Sequence, residues 1–172
     1  MVEPEKFRQA ISMFATGVTV ITTRGPDGPT GMTASAVCSL SLEPVQLLVC
    51  ISNRLPTHKI LTDAGRFGVN VLGEAQAGLA RHFATPQPDK FVGVDLRDEG
   101  GVPILTAAIA TFVCELSERF PGGDHSIFIG RVVELDHMDD ARPLVYYASG
   151  FSRMASPEDS LLQHWMERGA QL

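Results

Sequence analysis

What the chain lacks narrows its function first. Its 172 residues include three cysteines, Cys38, Cys50 and Cys114, far apart and with no C-x-x-C pair. An odd, scattered set suits neither a disulfide framework nor a zinc site, whereas free thiols fit a reducing cytoplasm. Positive charge is also scarce: 14 Lys and Arg against 20 Asp and Glu leave a net charge of −6, with no basic cluster. That argues against a nucleic-acid surface, which needs clustered Lys and Arg. No apolar run approaches the ~20 residues of a membrane span. The opening stretch MVEPEKFRQAI lacks the basic and apolar regions of a secretory signal, so the expected setting is cytoplasmic, with no membrane partner. No G-x-G-x-x-G follows the first strand and no G-x-S-x-G occurs anywhere, which removes support for a Rossmann unit and for a hydrolase elbow.

What is present is the material of a core. Hydrophobic residues make up 44% and charged residues 20%, and a chain of this length buries a sizeable interior as one domain, residues 1–172. Pro4 opens a helical period through Phe7, Ile11 and Phe14 that Gly17 is expected to stop. Val18–Thr23 alternates β-branched residues, and the turn GPDG (25–28) leads into a partner strand over Thr30–Val37. Val45–Ile51 reads as a strand buried on both faces. Pro56–Asp63 and Glu74–Phe83 read as helices flanking a strand at Arg66–Leu72. Residues 84–103, rich in Pro, Gly and Asp, read as a long loop. Two long strands, Thr106–Ser117 and Ser126–Asp136, flank the turn PGGD, a short strand follows at Leu144–Ala148, and Pro157–Arg168 reads as a closing amphipathic helix. Many strands with few helices predict a mainly β fold with peripheral helices, either a barrel or a sandwich.

The stretch GGDHSIFIG (122–130) sets Asp124, His125 and Ser126 side by side. In an extended strand, neighbours face opposite ways, so His125 is expected to diverge from both and no Asp-His-Ser relay is expected. The plainer reading is a turn at Gly122-Gly123 with a satisfied histidine at the strand start.

Five separated segments change that balance. They are TGVTVITT (16–23); GMTASA (31–36) with SLSLEP (39–44); FGVNVL (67–72); GDH (123–125) with Ile129-Gly130; and PLVYY (143–147). In this order the chain closely resembles the short-chain flavin reductases of two-component flavin-dependent monooxygenases. The resemblance covers about residues 5–155 and implies a split β-barrel, a homodimer, and transfer of hydride from NADH or NADPH to FMN or FAD. The reduced flavin would pass to a partner oxygenase. Such chemistry belongs to the cofactors, and the protein supplies binding and orientation.

The resemblance also implies site residues. Thr33, Ala34, Ser35 and Ala36 would line the flavin ring, with Ser39 nearby. Small side chains there let the backbone approach a ring edge, although hydroxyls in a crowded strand also simply bond backbone. Ser52, Asn53 and Thr57 would lie on the phosphate side, where a strand end feeds a helix N-terminus, and ordinary helix capping is the plainer alternative. Phe83, Lys90 and Phe91 match an "F…KF" stretch bordering flavin and nicotinamide, with Lys90 available to a phosphate or merely solvated. His125 would serve the nicotinamide pocket as the catalytic-site imidazole. His58, His82 and His137 are read as solvated ends, and His164 belongs to the closing helix. No metal site is expected. Arg24, Arg54, Arg81 and Arg119 are candidates for a 2′-phosphate. Rival readings are a non-catalytic flavin-binding module and a pyridoxamine phosphate oxidase-like flavin oxidase.

Overall fold

The computed structural model describes residues 1–154. The predicted closing helix at 157–168, with His164, lies outside them. Three short helices and twelve strands follow in chain order: α1 (Pro4–Ile11), β1 (Thr16–Gly17), β2 (Thr19–Gly25), β3 (Gly28–Ala34), β4 (Val37–Leu42), β5 (Val45–Ser52), α2 (Pro56–Ala64) and β6 (Arg66–Val71). Then come α3 (Ala77–Ala84), β7 (Leu96–Glu99), β8 (Val102–Leu105), β9 (Ala110–Gly122), β10 (His125–His137), β11 (Leu144–Tyr147) and β12 (Gly150–Arg153).

Seven strands form one antiparallel sheet in the order β3-β2-β6-β9-β10-β5-β4. Side chains from every one of them, from Ala34 on β3 to Val37 on β4, meet in a single core around Ile21, Val49, Phe67 and Phe128. The sheet therefore curls, bringing both of its ends to the same interior. Leu61 of α2 packs into that core fully buried, and burial of such a side chain contributes about 1.5–3 kcal/mol. A second core lies under α3, where Ala80 and Phe83 pack against Val20, Leu72, Leu105 and Leu144. Gly65 closes α2 in the left-handed conformation at φ 66°, which a side-chain-bearing residue adopts only at a cost.

Several sequence expectations change. The first helix ends at Ile11, short of Gly17, which sits in β1 paired with β11. Strand β5 alternates buried Leu47, Val49 and Ile51 with part-exposed neighbours, so one face is buried, not both. The strand β4, opposite β5, and the final strand β12 were not anticipated. The supposed loop 84–103 contains the β7–β8 hairpin, turned at Gly100-Gly101 and anchored by fully or nearly fully buried Val102 and Ile104. Asn70, inside FGVNVL, is structural: its amide donates to Val20 O and Thr22 Oγ1 and accepts from Leu105 N–H.

Candidate functional site

A groove of about 900 Å³ runs between edge strand β3, the start of α2, the end of α3 and the segment 86–92. This is the size of a cofactor pocket. Five of the sequence-predicted residues line it: Thr33, Thr57, Phe83, Lys90 and Phe91. Gly31, Met32, Arg54 and Pro86 line it too; of these the sequence reading gave a ligand role only to Arg54, as one of four candidates for a 2′-phosphate, although Gly31 and Met32 stood inside a quoted motif.

The wall at β3 is bare backbone at Gly31 alone, between Thr30 and Met32. A side chain at Gly31 would place its Cβ 3.1 Å from Phe91 Cζ and 3.2 Å from Phe83 Cε1. Those two rings meet edge to face at 5.1 Å, a favoured aromatic arrangement. Among the described residues β3 pairs only with β2, which leaves its other edge open. The Gly31 carbonyl on that edge accepts from Lys90 Nζ at 3.4 Å. Antiparallel strands repeat every two residues, so the Thr33 N–H and carbonyl share this open side. The Thr33 hydroxyl, in contrast, donates to Ala80 O at 2.6 Å and is spent on α3.

Lys90 is not a solvated charge. Its ammonium donates to Phe83 O at 2.8 Å as well as to Gly31 O, and burial pushes its pKa down. The lysine therefore latches the segment after α3 onto the groove wall. His82, read as solvated, takes part in the same latch: Nε2 donates to Lys90 O at 2.6 Å, and the ring's Nδ1 accepts from Gln87 at 3.0 Å.

At the other end of the groove, α2 begins at Pro56 with Leu55 as its N-cap residue and no side-chain cap. Ser52, Asn53 and Thr57 thus do not cap the helix; Pro56 has no N–H and the His58 N–H donates to Leu55 O at 3.0 Å, so what the helix start offers a ligand is its dipole and the Thr57 N–H. Thr57 is buried and lines the groove together with Leu55 and Pro56.

Ser52 and Asn53 stand beside His125, one step beyond Arg54. Ser52 is the register partner of His125 across β5 and β10, and Asn53 N–H donates to Asp124 O at 3.0 Å. His125 is part-exposed, and its Nδ1 lies 2.8 Å from Asp124 Oδ1. The expected divergence of these neighbours fails because Asp124 belongs to the Gly123 turn, at φ 71°, and not to the strand. Its divergence from Ser126 holds: Ser126 is buried and bonds His58 Nε2 and Asn53 Oδ1, each at 2.9 Å. His58 is accordingly no solvated end, and its ring packs edge-on against Phe128 at 5.1 Å. His137 is exposed, as expected.

The remaining expected residues lie apart from the groove lining. Ala34 is buried in the core with its carbonyl accepting from Thr19 Oγ1. Ala36 O accepts from Cys50 N–H, while Ser35 and Ser39 are exposed beside the β3–β4 connection. Of the candidate arginines only Arg54 lines the groove; Arg24 pairs with Asp98, Arg81 lies over Phe151 and Arg119 reaches Thr62. Among the described residues no group of three His, Cys, Asp or Glu is placed to hold a metal, and no helix is long and apolar enough to cross a membrane.

An open backbone edge, an aromatic wall and an uncapped helix start define a cleft for a flat, phosphorylated ligand. Known proteins share this architecture. The profile of the flavin reductase like domain matches residues 11–155, and the chain belongs to that family. The reductase subunit HsaB of a flavin-dependent monooxygenase from Mycobacterium tuberculosis H37Rv is 35% identical over 169 residues, covering 96% of this chain and 90% of the relative. A 4-nitrophenol/4-nitrocatechol monooxygenase reductase component from Rhodococcus opacus is 40% identical over 146 residues, covering 85% and 78% respectively. The structure of the NADH:FAD oxidoreductase from Streptomyces globisporus C-1027, in complex with NAD and FAD fragments, superposes with a TM-score of 0.86 at 35% identity over 92% of this chain and 99% of that one.

Proposed function

We propose that this protein is an NAD(P)H-dependent flavin reductase supplying reduced FMN or FAD to a partner monooxygenase. The observation that carries the reading is the groove itself, where the residues present fit a flavin. Gly31 lets Phe91, backed by fully buried Phe83, pack directly against β3 as an aromatic wall, and the uncapped start of α2 with Arg54 suits a phosphate. Bound flavin would supply the electron-accepting ring, and the reduced nicotinamide the hydride.

The protein's own part is orientation. Thr33 presents backbone on the open edge, and Lys90 fixes Phe83 and Phe91 from behind. His125 donates Nδ1–H to Asp124, which in a neutral ring leaves Nε2 as an acceptor for a ligand such as a carboxamide. Among the described residues Nε2 has no partner. A pyridoxamine phosphate oxidase-like activity finds little support, since it wants several free basic groups and the groove offers Arg54 beside a committed Lys90.

The active form is proposed to be a homodimer in the cytoplasm. Phe7, Ile11, Met13 and Phe14, each more than half exposed, form an apolar ridge on and after α1, and Leu40 and Leu42 add another along edge strand β4. Contiguous exposed apolar surface of this kind marks an interface, and light scattering on the purified protein tests it. For the activity, NADH or NADPH consumption is measured with and without FMN, FAD or riboflavin. Flavin-dependent oxidation of one nucleotide is expected, and its absence with every flavin rejects the reading.

A further inference from the structure

The turn that carries His125 is bound to the loop after β5 largely through one residue. Asn53 Nδ2 donates to Gly123 O at 3.3 Å, its Oδ1 accepts from Ser126 Oγ at 2.9 Å, and its backbone N–H donates to Asp124 O at 3.0 Å. These three contacts take hold of three residues around His125. The direction of the bonds is fixed along the chain. With Nδ2 donating to Gly123, Oδ1 must be the acceptor, so the Ser126 proton points at Asn53 and Ser126 Oγ accepts from His58 Nε2–H. His58 belongs to α2, so a single run of hydrogen bonds crosses from that helix through β10 to the loop at 52–55.

We infer that Asn53 is a positioning residue that holds the His125 turn in register with the flavin-phosphate end of the groove, and that it acts on nicotinamide use through His125 rather than by touching flavin. The inference rests on the reductase reading and refines it. Asn53 sits next to Arg54, which lines the groove, while its own N–H, Oδ1 and one Nδ2 proton are committed to the turn. Shifting that turn moves the imidazole relative to the bound flavin, and misplacement of about 1 Å costs up to ~100-fold in a reaction that depends on alignment. A loop holding only its own fold would show no such selectivity between the two cofactors.

The test is a double-mutant cycle on the full-length protein with Asn53→Ala and His125→Ala, reading flavin Kd by fluorescence and steady-state KM and kcat for the reduced nucleotide. Asn53→Ala is expected to raise the nucleotide KM about tenfold and to leave flavin Kd within about twofold. In the His125→Ala background it is expected to add little. Amide hydrogen exchange on the flavin-free protein should show faster exchange in 122–126. Losses that multiply across the cycle, or a flavin Kd that weakens in step with KM, overturn the inference. Should Asn53→Ala fold poorly, Ser126→Ala removes one link and must show the same selective rise in KM, smaller in size; an unchanged KM overturns the inference equally. Wild-type turnover in the same assay separately tests the reductase reading, since an inactive wild type rejects that reading and this inference with it.

Discussion

His125 and Asp124 are neighbours in the chain whose side chains join, Nδ1 to Oδ1, at 2.8 Å. That bond holds the Asp124 carboxyl below its ordinary range, with the His125 hydrogen bond as the main cause and the imidazole's charge second. It also selects how the ring faces a ligand. Asp124→Ala should therefore lower kcat/KM for the reduced nucleotide about tenfold while flavin affinity stays the same. Stopped-flow reduction at varied nucleotide checks this, and a loss confined to flavin binding would contradict it.

Acid should expose the cost of keeping His58 neutral. Burial, and then the nearby Arg119 charge, lower its pKa from the ordinary 6.5. The unfolded chain thus takes up a proton first as pH falls below about 6.5, so the folded state loses stability there and loses none above it. His58→Gln keeps a donor for Ser126 without titrating. The gap in Tm between wild type and variant should accordingly narrow or reverse from pH 7 to pH 5, and a constant gap would count against the assignment.

Gly31→Ala should displace the aromatic wall of the groove. The new Cβ would lie 2.9 Å from Ile21 O and 3.1 Å from Phe91 Cζ, so the strand or the aromatic wall must move. We expect about 1–3 kcal/mol of lost stability and a flavin Kd weaker by about tenfold, read by denaturant melts and fluorescence titration. A variant that binds flavin as wild type does would place the ring elsewhere.

Gly130→Ala strikes the core instead. Its Cβ would come within 2.5 Å of Phe67 Cζ and 2.8 Å of Cys114 Cβ, beside a register shift between Ile129 and Gly130. Overpacking of this order costs about 1–3 kcal/mol, visible as a lower urea midpoint with an unchanged slope. Flavin affinity, measured under folded conditions, should not change.

Much of this was legible in the sequence where the signal is local. The GPDG turn did produce the β2–β3 hairpin, and Pro56 did open α2, because turn and cap chemistry act over a few residues. The β7–β8 hairpin was not legible: Asp98, Glu99, Gly100 and Gly101 have loop composition, and only the burial of Val102 and Ile104 under distant elements makes strands of their neighbours. The site divides the same way. Phe83, Phe91 and Thr33 were found by resemblance and do share the groove. The commitment of Lys90 to Phe83 O and Gly31 O, and of His58 to Ser126 sixty-eight residues away, depends on the assembled sheet. Sequence spacing holds no sign of either.

The inward latch of Lys90 has a last consequence for how a ligand arrives. The charged residues lining the groove are Asp27, Arg54, Asp89 and Lys90, two of each sign, so the lining adds no net positive charge to offset the −6 of the whole protein. Anionic cofactors are then not drawn in from a distance, and capture depends on fit and stacking at contact. Entry rates should be ordinary rather than steered and should not fall as salt is raised. A carrier that must surrender its cargo is served by such a doorway, because Arg54 and the start of α2 hold the anion only at contact and no long-range attraction draws it back.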